Sequence, residues 1–173
     1  MDEDVNSWLD AAVAALAPAE RDRLGRPQPG EGRVTHLVRI ARHGRRAKAR
    51  EMAITALHPA ARDRLPHVVE TALLLLDDPG KQVRYRACQG LAVAMDPAAL
   101  PALFSAQDRG VDVPHDGLAG AIRAIERRDR AAFFDREGLG GRTSLVLQDE
   151  RIDHRPGGDF IVVGSPAYGT ARR

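Results

Sequence analysis

The stretch LLLLDDPGKQVRYRACQGLA, Leu73 to Ala92, decides the fold. It reads as two helices joined by a tight turn. Pro79 cannot continue a helix, because it lacks an N–H and its ring clashes with the preceding turn. Gly80 beside it lets the chain reverse. Val83, Ala87 and Leu91 then recur every four residues and lay one apolar stripe along the second helix. A single helix pair cannot bury such a stripe alone, so the pattern predicts neighbours of the same kind.

Working outward, Val5, Trp8, Leu9, Ala12, Val13 and Leu16 fall on one face of an N-terminal helix that Pro18 stops. Residues 1–25 are expected to form capping helices. GRPQPGEG, Gly25 to Gly32, is a loop. From Val34 the apolar positions come in paired helical segments, which assigns residues 33–137 to one helical repeat domain. Pro66 suits the first turn of its helix. Leu73 to Leu76 make that helix apolar nearly all round, which predicts a central position. Ala49, Ala53, Ile54 and Leu57 recur 34 residues later as Val83, Ala87, Cys88 and Leu91, and again as Gly117, Ala121, Ile122 and Ile125. A period of this size is the mark of helical solenoids.

DPGKQVRYRACQGL, Asp78 to Leu91, resembles the turn and second helix of a HEAT repeat, with Asp78, Pro79, Val83, Arg84, Ala87 and Leu91 in the matching places. The resemblance spans roughly residues 34–126 but is specific only in this central repeat. Neither Arg45-Arg46-Ala47 nor His115-Asp116-Gly117 carries the Asp-Pro turn. The resemblance implies a short α-solenoid of antiparallel helix pairs, with Asp78 and Arg84 contributing to a polar ladder between stacked repeats.

After Phe134 the composition changes. Leu145 and Leu147 lie in one segment of strand character, and Phe160, Ile161 and Val163 in another. Residues 142–173 are therefore expected to form a small β-hairpin or an extended arm. Such an arm can pair with a partner, or with a second copy of the chain, through its strand edges. The fold class expected is all-α with this C-terminal addition.

The totals agree with a helical protein of one domain. The chain has 173 residues, 43% hydrophobic, 29% charged and only 4% aromatic. Its formal net charge of +2 is far from that of an obligate nucleic-acid binder. One cysteine, Cys88, excludes an intrachain disulfide. No apolar run is long enough to span a bilayer. The acidic start Met1-Asp2-Glu3-Asp4 does not read as a signal peptide. A cytoplasmic bacterial protein is expected.

The sharpest charge feature is Arg33 to Arg50, which holds Arg39, Arg42, Arg45, Arg46 and Arg50 and no acidic residue. These five are candidate contacts for phosphates or for an acidic protein. They equally suit a solvated face balanced by acidic groups elsewhere. Asp149, Glu150, Asp153, His154 and Asp159 match no metal-ligand spacing, and the six histidines form no ligand pair. There is no catalytic triad motif, no Walker loop and no CxxC pair. No cofactor is expected. The function expected is non-enzymatic: a scaffold or interaction module of adaptor, immunity or assembly-factor type. The rival readings are a DNA-binding protein using the Arg33–Arg50 face and a subunit of an enzyme complex.

Overall fold

The computed structural model describes residues 2–134, with side chains from Ser7 onward. The strand residues expected at Leu145, Leu147, Phe160, Ile161 and Val163 lie outside the described residues, as does the Asp149–Asp159 cluster.

The described residues are mostly helical and contain no strand. The helices are α1 (Asp2–Ala15), α2 (Arg21–Leu24), α3 (Arg33–His43), α4 (Ala47–Ala56), α5 (His58–Arg62), α6 (Pro66–Leu74), α7 (Lys81–Ala94), α8 (Leu100–Asp108) and α9 (Gly117–Arg127). Short 3-10 turns join several of them, at Pro18–Glu20, Leu75–Asp77, Pro97–Ala99, Pro114–Asp116 and Arg130–Phe133.

Local chemistry sets the boundaries. Pro66 opens α6 behind an extended Leu65. Pro59 lies inside α5, so α4 and α5 are separate helices, although Ala61 N–H still reaches Leu57 O across the break (2.9 Å). The Asp96 carboxylate accepts the Ala98 N–H at 3.0 Å, and Asp129 accepts that of Ala131 at 2.9 Å. Met95 and Arg128 end α7 and α9 in the left-handed conformation, at φ 47° and 51°.

α3 lies on α4, α6 on α7 and α8 on α9. α4 also touches α1 on one side and α7 on the other, while α7 touches both α4 and α9. α3 and α6 are neighbours as well. Val83, Ala87 and Leu91 are fully buried. A fully buried valine or leucine contributes about 1.5–3 kcal/mol.

The centre of the molecule is α7 rather than α6. From Ala87 to Ala94 every residue of α7 is buried. Leu74 of α6 instead faces outward, 61% exposed. α7 carries Ala87, Cys88, Gly90, Ala92 and Ala94, and such small side chains let helices approach on several sides. At the far end Phe133 closes over α9. A Cβ on Gly120 would lie 2.6 Å from Phe133 O, so only glycine permits this approach.

Candidate functional site

The most highly organised polar feature runs along the turns that precede α4, α7 and α9. Arg50 on α4 reaches 28 residues ahead to Asp78. Its Nε donates to Oδ2 at 2.6 Å and its Nη2 to Oδ1 at 2.8 Å, a bidentate pair. Its Nη1 donates back to Gly44 O (2.7 Å) and Arg45 O (2.8 Å), the carbonyls of its own turn. The side chains are 11% and 4% exposed. Asp78 Oδ1 also accepts the Gly80 N–H at 2.7 Å, which fixes the Asp-Pro-Gly reversal.

Arg84 on α7 repeats this arrangement one unit later. Its Nη1 donates back to Asp78 O at 2.5 Å. Its Nε and Nη2 donate ahead to Asp112 O at 2.8 and 2.5 Å. Arg50 and Arg84 are separated by 34 residues, as are Asp78 and Asp112. In the second unit the forward partner is the backbone carbonyl of Asp112, whose exposed carboxylate pairs with Lys81 instead. Lys81 holds the Asp112 carboxyl below the usual carboxylate range. Position 118, where a third arginine would stand, is a buried leucine, so the relay ends there.

The arginines of the basic run do not form one surface. Arg50 is committed to the relay. Arg39 clamps the loop before its own helix: Nε and Nη2 donate to Glu31 at 2.8 and 2.7 Å, Nη1 to Arg23 O and Nη2 also to Arg26 O. The Arg39 guanidinium holds the Glu31 carboxyl down at about 2, against a smaller upward push from burial, with help from the Gln28 N–H. Arg42 turns to α6, donating to Thr71 Oγ1 at 2.7 Å and lying 3.6 Å from Glu70. Arg45 and Arg46 are exposed at the turn into α4, where the buried Glu20 receives the Arg45 N–H at 2.9 Å.

Other candidates from the sequence have structural surroundings. His36 is buried with Nε2 2.6 Å from Leu24 O, where it donates. Cys88 is buried, and burial pushes its thiol up to about 12, out of the nucleophilic range. Trp8 packs against the core from a partly buried position. Among the described residues, no three His, Cys, Asp or Glu side chains gather as a metal site. No helix among them is long and apolar enough to cross a membrane. The large hydrophobics left exposed among the described residues are Leu74 on α6 and Phe104 on α8, at 61% and 41%.

The pairing of Arg50 with Asp78 is the feature that sequence reading missed. Arg50 reads as one charge in a basic run, yet the repeat spacing that aligns it with Arg84 was a usable signal. The chain matches no family model, no curated protein and no solved structure.

Proposed function

We propose that the chain is a short HEAT-like α-solenoid, a non-enzymatic module that binds another protein in the cytoplasm. The observation that carries this reading is the repeated arginine relay, Arg50 to Asp78 and Arg84 to Asp112, linking successive turns at one spacing. Such links hold successive helix pairs in a fixed line and give a rigid lateral face, which can bind a partner with little ordering cost. α1 lies against α4 and Phe133 against α9, so both ends of the line are covered. That leaves the lateral faces for binding, and Leu74 and Phe104 supply large apolar side chains there. The basic run contributes less, because Arg39, Arg42 and Arg50 already spend donors within the protein.

The test compares three forms of the chain in affinity capture from its native cell extract: unaltered, L74E/F104E, and a form lacking residues 142–173. Loss of one specific partner in L74E/F104E, with unchanged helicity and melting temperature, supports the lateral face. Loss only on truncation assigns binding to the segment containing Leu145, Leu147, Phe160, Ile161 and Val163. Salt-sensitive duplex DNA binding that R45A/R46A abolishes would replace the protein-binding reading with a nucleic-acid one.

A further inference from the structure

Two arginines distant in sequence converge on one helix end. The last carbonyls of α7 have no N–H of their own helix to accept. Arg130, just beyond α9, donates Nε to Val93 O at 2.8 Å. Arg64, just beyond α5, donates Nε to Ala94 O at 3.0 Å and Nη2 to Met95 O at 3.2 Å. Those carbonyls are consecutive, so both guanidinium groups serve the same helix end. Among the described residues neither has a carboxylate partner.

Helix capping alone does not account for this gathering. A helix C-terminus carries roughly half a negative charge. Arg64 and Arg130 bring two positive charges to it. Burial, then the fields of Arg62 and Arg64, push the Arg130 guanidinium below its usual range. Arg64 is also held at φ 53°, a left-handed conformation that costs a side-chain-bearing residue about 1 kcal/mol and glycine nothing. The chain keeps an arginine where glycine would be easier.

The donors left over have a useful shape. Arg130 uses only Nε, so its Nη1 and Nη2 fork carries no bond among the described residues. Arg64 has Nη1 in the same condition. A planar guanidinium fork matches two oxygens of a tetrahedral oxyanion, and the excess positive charge favours a dianion over a single carboxylate. We propose that Arg64 and Arg130 bind a phosphate-type oxyanion at the C-terminal end of α7.

The test is a titration of the isotopically labelled full chain with inorganic phosphate at constant ionic strength, following the amide resonances of Ala94, Met95 and Ala131. Acetate is the comparison anion. Saturable shifts are expected with phosphate, and binding of acetate about tenfold weaker or less. R130A should weaken phosphate binding about tenfold, and R64A similarly. R130K keeps the charge without the fork, guards against a folding defect in R130A, and should weaken binding severalfold. R46A alters an exposed arginine at the turn into α4 and should change nothing. Shifts that stay linear in phosphate would overturn the proposal. So would saturable shifts that R64A, R130A and R130K all leave intact, or acetate binding as tightly as phosphate.

Discussion

Removing the Asp78 carboxylate should destabilise the protein far more than removal of an exposed acidic group. Asp78 accepts three N–H donors, two from Arg50 and one from Gly80, and its side chain is 4% exposed. In D78A the Arg50 guanidinium stays buried without its counter-charge. Breaking a buried pair from one side costs about 3–5 kcal/mol. At a urea m-value of about 2 kcal/mol/M, that lowers the unfolding midpoint by about 1.5–2.5 M. R50M should cost a similar amount, because it leaves Asp78 short of two donors and strands Gly44 O and Arg45 O. The double variant R50M/D78A should cost about 2–3 kcal/mol less than the two singles added together, since neither charge is then left alone. The control is R109A. Arg109 pairs with Asp77 at 2.7 Å, but the side chains are 50% and 66% exposed, so its loss should cost less than about 1 kcal/mol. Urea titrations followed by helical circular dichroism at pH 7 measure all four. A coupling between Arg50 and Asp78 below about 0.5 kcal/mol, or a D78A cost no greater than that of R109A, would refute the reasoning.

Three further outcomes follow from the geometry. Glu31 titrates at about 2 in the folded chain against an ordinary 4.5, so its contribution is fully present above 4.5 and is lost as pH falls toward 2. E31Q should therefore flatten the fall in stability over that window, measured as melting temperature against pH. Two glycine-to-alanine changes should have opposite signs. A Cβ at Gly90 meets His58 Cδ2 at 3.4 Å, ordinary contact, so G90A should gain about 0.5–1 kcal/mol from helix propensity, whereas G120A drives a Cβ to 2.6 Å from Phe133 O and should lose stability in the same urea assay. Cys88, buried and with its thiol pushed up to about 12, should resist a thiol-disulfide reagent at pH 8 until urea unfolds the chain; fast labelling of the native protein would contradict its burial.

What was legible in the sequence was the phase of each helix, and what was hidden was which side chains turn inward together. Pro79 and Gly80 fix where α7 begins, and from that point a four-residue spacing places Val83, Ala87 and Leu91 on one face, all buried. The run Leu73 to Leu76 misleads about the centre. It measures how oily a helix is, whereas centrality depends on how many neighbours can come close. Leu74 accordingly faces out, and α7, with Ala87, Cys88, Gly90, Ala92 and Ala94, takes the middle. The basic run misleads for a related reason. A row of arginines shows charge along the chain, but Arg39 finds Glu31 across a loop and Arg50 finds Asp78 across a whole helix pair.

The repeat spacing is the one sequence signal that could have joined those distant partners. Applied to apolar positions it aligns stripes, and applied to charged ones it pairs Arg50 with Arg84 and Asp78 with Asp112. The same rule marks where the line stops. Leu118 stands where the next arginine would be and is buried, so that position supplies no donor. Just beyond α9, Phe133 lies over Gly120. Leu118 at the arginine position and Phe133 over Gly120 thus make the contacts of α9 apolar where those of α4 and α7 are polar.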